Sequence, residues 1–235
     1  MRLGIMQPYF LPYIGYFQLL RSVDRFVFLD DVAFIKKGWI HRNRIQIGGK
    51  EHMFTIPVHD ASQNRTIAET QITADPSWKT KLEKTIRGSY SRAPCFGEVF
   101  PLFQDILHFE TRSISEFAIH SVRKVAEFLS IETPTLCSSM AHGQTELRAQ
   151  DRILEICKRE GATHYINPIG GLELYDPLVF AAEKIELSFL KTTPIPYHLS
   201  AEEFIPYLSI LDVLMLNSKE EVQGHLESFT LIQPN

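Results

Sequence analysis

Residues 2–31, RLGIM-QPYFLPY-IGYFQLLRSV-DR-FVFLDD, decide how this chain folds. Arg2 to Met6 has the length and apolar content of a short buried strand, and Pro8 and Pro12 punctuate an aromatic loop after it. Ile14, Phe17 and Leu20 then recur at helical spacing as far as about Val23. Phe26-Val27-Phe28-Leu29 is a second apolar run of strand length, stopped by Asp30-Asp31. A strand, a helix and a strand in that order must cross over right-handed and build a parallel sheet.

The second half repeats the alternation. Ser113 and Glu116 have capping-box spacing before a helix reaching about Leu129. Pro134–Ser138 reads as a short strand, Glu146–Glu160 as an amphipathic helix closed by Gly161, and Thr163–Ile166 as another strand. Asp176-Pro177 starts a further helix, and Glu186–Leu190 is the last strand expected. From 201 onward the tail looks helical, with Phe204, Leu208, Leu211 and Leu214 on one face. Between these halves, Ile40, Arg42, Arg44 and Gln46 alternate with His41, Asn43, Ile45 and Ile47. Gly48-Gly49 then turns the chain, and Met53–Val58 returns, which is a hairpin pattern. Trp78 to about Tyr90 and Phe100–Phe109 read as helices, with 87–97 as a long exposed loop. The expected architecture is an open, mainly parallel α/β sheet of the Rossmann-like kind, with an inserted β-hairpin and a helical C-terminal segment. One domain spans 1–235, with the tail from about 201 to 235 packed on it.

Composition narrows the function. Apolar residues make up 44% and charged residues 22%, enough for a sizeable core and too apolar for disorder. The 24 cationic against 28 acidic residues leave a net charge of -4, which argues against a nucleic-acid binder. Cys95, Cys137 and Cys157 have no paired or zinc-type spacing, as expected for thiols of a reducing compartment. The nine histidines show no metal-binding spacing, so no metal site is expected. No stretch approaches the roughly 20 apolar residues of a membrane span, and no charged leader opens the sequence. A cytoplasmic location follows as the expectation.

Ligands of open α/β sheets bind beyond the carboxyl ends of the strands. The first strand runs into Gln7, Tyr9 and Tyr13, the second into Asp30 and Asp31, and later ones into Ser138-Ser139 and into Asn167, Gly170 and Gly171. Gly15 at a helix start resembles nucleotide-binding folds of the adenylyl-transfer type, where a phosphate meets the helix N-terminus. Tyrosines stand here where that class has histidines. Asp30 or Asp31 is a candidate general base or hydroxyl-binding group, or else ordinary turn chemistry. The stretch Lys36-Lys37-Gly38-Trp39-Ile40-His41-Arg42-Asn43-Arg44 concentrates four cations, a Trp and a His in nine positions. Arg42 and Arg44 share one strand face and suit a diphosphate or carboxylate, with Lys36 and Lys37 nearby and Trp39 and Asn43 beside them. His41 is the candidate general base of this stretch. Glycines at 170 and 171 permit close backbone approach to a ligand, and Asn167 can pair with a hydroxyl; a simple strand-to-helix turn reads the same way.

These same segments resemble the WbqC-like family. Met6–Leu19, Phe28–Val32, Trp39–Ile45, Tyr165–Pro168 and Leu208–Leu214 carry the resemblance, which covers nearly the whole chain in order. It implies a bacterial protein of O-antigen or related surface-polysaccharide synthesis, working beside the other enzymes of that pathway. It also implies an acyl- or aminoacyl-transferase, with glycine as one proposed group, acting on a nucleotide-linked amino sugar. A nucleotide sugar fits the residues: Arg42 and Arg44 for the diphosphate, Tyr9 or Tyr13 for stacking, Asp30 or Asp31 for hydroxyls. Lys37 completes the cationic set. The sequence names no cofactor and no acyl donor. A non-catalytic ligand-binding or scaffold protein, or an adenylate-forming or nucleotidyl-transfer enzyme, are the rival readings.

Overall fold

A computed structural model describes residues 1–143, 145–196 and 204–234. In chain order the elements begin β1 (Arg2–Met6), α1 (Ile14–Ser22), β2 (Arg25–Phe28), then the hairpin β3 (Arg42–Ile47) and β4 (Lys50–Thr55). Three helices follow, α2 (Ser77–Tyr90), α3 (Phe96–His108) and α4 (Ile114–Phe128). Next come β5 (Thr135–Cys137), α5 (Ser138–Ala141), α6 (Ala149–Arg159) and β6 (His164–Pro168). A 3-10 turn over Ile169–Leu174 leads to α7 (Pro177–Ala182) and β7 (Glu186–Thr192). The chain ends with α8 (Ile210–Leu216), α9 (Lys219–His225) and β8 (Phe229–Ile232).

Six strands form one sheet in the order β5-β2-β1-β6-β7-β8, parallel except for β8, and the hairpin stands as a separate two-stranded sheet. The strands leave β1 in both directions, towards β2 and β5 on one side and towards β6 and β7 on the other. The reversal falls between β1 and β6, the kind of switch point at which open α/β sheets bind ligands. Alternation along the strands sorts two cores. Phe26, Phe28, Ile166 and Leu190 join α1, α4 and the tail helices in one; Leu3, Ile5, Val27, Tyr165 and Phe189 join α6 and α7 in the other. The parallel α/β expectation is met.

Several local expectations are corrected. Only 91–95 is non-helical in the stretch expected as a loop over 87–97, because buried Tyr90 anchors the end of α2 on Asp212 and Phe96 stacks on Phe100 at 4.7 Å. α3 therefore starts at Phe96 and holds Pro101 in its interior. α6 begins at Ala149, later than expected. The tail is helical only from Ile210; residues 201–203 lie outside the described residues, and Phe204 and Leu208 precede the helix. Ser209 caps α8, and its hydroxyl donates to the Leu11 carbonyl at 2.7 Å. The last strand is β8, which pairs antiparallel with β7 and closes that edge of the sheet. No helix among the described residues is long and apolar enough to cross a membrane.

Candidate functional site

Among the clefts at the carboxyl rim of the sheet, two are lined by residues that the sequence singles out, and these two share no lining residue. The first, of 260 Å³, is aromatic: Tyr9, Pro12, Tyr13, Trp39, Asn43, Arg44 and Tyr207 line it. It exists because the loop after β1 is pinned to the hairpin. Phe10 N–H donates to the Ile40 carbonyl, and the Asn43 amide donates to the carbonyls of Phe10 and Leu11. Tyr13 ends the loop at the start of α1, packs edge-on against Tyr207 at 5.9 Å and hydrogen-bonds Thr192 at the end of β7. A side chain at position 15 would come within 2.3 Å of both the Tyr13 ring and the Thr192 hydroxyl, so only glycine fits.

Arg44 supplies the charge. Its guanidinium lies 5.0 Å from the Trp39 ring centroid, within range of a cation–π contact. One of its terminal nitrogens pairs with Glu51 at 2.8 Å and the other donates to the Tyr207 carbonyl, while the buried Nε–H has no acceptor among the described residues. Burial, and Tyr13 nearby, push the Tyr9 hydroxyl up to about 12, and burial raises Tyr13 as well. Both phenols therefore stay protonated at neutral pH and can act as hydrogen-bonding walls.

The rest of the cationic stretch goes elsewhere. Arg42 shares the strand face of Arg44, but its guanidinium turns into the preceding loop and donates to the carbonyls of Gly38 and Lys37. The Lys36 and Lys37 side chains are exposed and line neither cleft. His41, expected as a base, is buried 5.0 Å from the Phe34 ring and lines neither cleft; burial and the Arg42 charge lower it to about 4. A histidine so weakly basic is a poor proton acceptor at pH 7. Asn43 lines the cleft, but its amide is spent on the loop carbonyls.

Of the twin acids, Asp31 lines the second cleft and Asp30 lines neither, so they do not join Tyr9, Tyr13 and Arg44 in one cleft as a single nucleotide-sugar site built from all three segments requires. Asp30 is buried; its carboxylate accepts from Ser115 Oγ, Ser139 N and Ser139 Oγ, and its backbone N–H donates to Ser138 Oγ. A carboxylate so fully engaged fixes the chain after β5 onto the end of β2, and it lines neither cleft. Asp31 is the acid that lines the cleft, with Thr66, Glu69, Ser139, Thr145, Glu146 and Arg152 among its neighbours in a space of 570 Å³. Asp31 accepts from Ser138 Oγ at 2.6 Å and pairs with Arg152.

Arg152 is the residue that sequence reading missed. Its side chain is 3% exposed and spans Asp31, Glu155 and the Gly143 carbonyl. The available signal was its place on α6, where it shares the buried side with Ile153, Leu154 and Ile156. A lone cation on an apolar helix face must have an anionic partner elsewhere.

Gln7 and the 167–171 segment join neither cleft. The Gln7 carbonyl accepts from the Tyr16 hydroxyl. Asn167 accepts from the Tyr165 hydroxyl and donates to the Pro168 carbonyl, and Gly171 makes room for its amide, which a Cβ there would meet at 2.0 Å. Gly170 is exposed with open space around it. Among the described residues no group of three or more His, Cys, Asp or Glu side chains is arranged to hold a metal ion.

A profile of the WbqC-like protein family matches residues 7–224. The chain is also similar to the uncharacterized protein Rv1507c of Mycobacterium tuberculosis (strain ATCC 25618 / H37Rv), 27% identical over 219 residues that cover 91% of this chain and 92% of that one. No solved structure matches. The chain belongs to the WbqC-like family.

Proposed function

We propose that this WbqC-like family member is a cytoplasmic acyl- or aminoacyl-transferase that acts on a nucleotide-linked amino sugar in surface-polysaccharide synthesis, and that the aromatic cleft holds the nucleotide end. The observation that carries this reading is the Arg44 guanidinium set against Trp39 within a wall of tyrosines. Aromatic faces accept a base or a sugar ring, and a guanidinium accepts a diphosphate through forked bonds. Asp31 lines the polar cleft beside Glu69 and Glu146, and as the carboxylate held in place by Ser138 and Arg152 it would take a proton from an attacking amine.

One observation favours a second reading, a binding component without turnover: among the described residues no imidazole and no carboxylate lines the aromatic cleft. Thermal unfolding in the presence of a UDP-linked amino sugar, UDP, ATP with Mg²⁺, and acyl-CoA separates these. A ligand at ~100 times its Kd adds about 2.7 kcal/mol of stability. The transferase reading expects stabilisation by the UDP-amino sugar and, with a competent donor, a mass gain on the sugar. Binding with no mass gain across amino-acid and acyl donors would leave the second reading. Stabilisation by ATP alone would overturn both in favour of adenylate chemistry.

A further inference from the structure

We propose that the turn Ile35–Trp39, with Met53 on the adjoining strand, docks this protein on an anionic lipid surface. Ile35, Trp39 and Met53 are 46%, 41% and 43% exposed. They are linked by contacts rather than scattered. Gly38 N–H donates to the Ile35 carbonyl, and a Cβ on Gly38 would meet the Ile35 Cβ at 2.9 Å. Trp39 follows directly and covers Arg44, which lies opposite Met53 in the hairpin register. The turn is held by Arg42, whose guanidinium ties the Lys37 and Gly38 carbonyls to β3. It therefore presents its apolar side chains at little further entropic cost.

Charge selects the partner. Lys36 and Lys37 project from this turn, and among the described residues neither makes an ion pair. Glu51, the acid on the same hairpin face, is taken by Arg44. The local surplus is cationic on a chain whose net charge is -4, so this patch is what an anionic surface can attract. Three exposed apolar side chains offer far less area than a stable protein interface needs. A fluid headgroup layer accepts such a shallow projection: Trp favours the membrane–water boundary, and flanking lysines contact anionic lipid. Trp39 belongs both to this patch and to the aromatic cleft, so docking would set the cleft mouth at the level of the headgroups. The proposal stands apart from the transferase reading, because binding to vesicles needs no nucleotide sugar.

Co-sedimentation of the full chain with vesicles tests it. The expected result is pelleting with equimolar phosphatidylcholine and phosphatidylglycerol, none with phosphatidylcholine alone, and release at high salt. K36E/K37E should weaken partitioning by about tenfold or more, and I35S/M53S should weaken it with thermal unfolding unchanged. Trp78 is the other of the two tryptophans, so a Trp78→Phe variant lets Trp39 emission report directly, shifting to the blue on binding. Equal pelleting with both vesicle types, unaltered binding by K36E/K37E, or lysine-dependent binding of single-stranded RNA without vesicle binding would each overturn the proposal. The lysine pair is exposed, so that arm stands even where Trp78→Phe folds poorly.

Discussion

The side-chain amide of Asn43 donates to the carbonyl of Leu11 across 2.6 Å, and by this bond the hairpin holds the loop that carries Tyr9 and Tyr13. Leu11 has φ of 45°, a left-handed conformation unfavourable for a branched side chain. Ser209 donates to the same carbonyl at 2.7 Å, and Ser121 Oγ accepts the Leu11 N–H at 3.1 Å, so three elements hold one strained residue. Asn43→Ala should cost about 1–3 kcal/mol of stability in urea denaturation, and nucleotide-sugar affinity should fall with it. A loss in stability with affinity unchanged would mean that the loop does not shape the binding site.

Arg44 and Glu51 should act in opposite senses on anion binding. Arg44→Lys keeps the charge but loses the fork and the contact with Trp39, and a roughly tenfold weaker nucleotide sugar is expected by calorimetry. Glu51→Gln removes the competing carboxylate and should tighten binding severalfold. Equal affinities in all three proteins would dissociate Arg44 from the ligand.

Arg152 carries a structural burden greater than that of Asp31. Arg152→Ala leaves Asp31 without its cation, while Glu155 keeps Arg159, and should cost about 3–5 kcal/mol by chemical denaturation. Asp31→Asn leaves Arg152 paired with Glu155 and should cost less. The double variant should fall short of the sum of the singles, because both remove the same ion pair.

His41 predicts an acid-side loss of stability. Burial, and then the Arg42 charge, lower it to about 4 in the folded chain from an ordinary value near 6.5. Above 6.5 both states are neutral. As pH falls from 6.5 towards 4 the unfolded chain takes up a proton that the folded chain refuses, so stability declines through that window. The full effect is about 3 kcal/mol. Denaturation at stepped pH should show this slope, and His41→Met should flatten it. An unaltered slope in His41→Met would assign it to His142, also buried, whose pKa burial likewise lowers.

The sheet was readable because the repeat of apolar residues changes from about three and a half to two or to unbroken runs at each boundary between 2 and 31. The hairpin was readable for the same reason, with Gly48 and Gly49 both at positive φ where the turn needs them. What could not be read were meetings across the chain. Asp31 marks a strand end in the sequence, but its partner Arg152 stands 121 positions later. Tyr9, Tyr13, Trp39 and Arg44 were legible as ligand-facing candidates, whereas Tyr207 reaches them through the tail, where Ser209 bonds to Leu11. Lys37, Arg42 and Arg44 look alike in a charge run, and only the fold separates the one that lines a cleft from the one that ties down its own turn. β8 escaped notice because a strand at the sheet's edge has one neighbour, and Thr230 and Leu231 are both exposed.

The pairing of β8 with β7 also governs when the molecule can be finished. Gln18, wholly buried in α1, donates to the carbonyls of His225 and Ser228, just ahead of β8. A ribosome therefore releases the earliest helix long before the backbone that satisfies its amide has been polymerised. Until Ile232 has emerged, β7 offers an open flank to any extended peptide nearby, and chaperone occupancy during biosynthesis should be greatest in that interval.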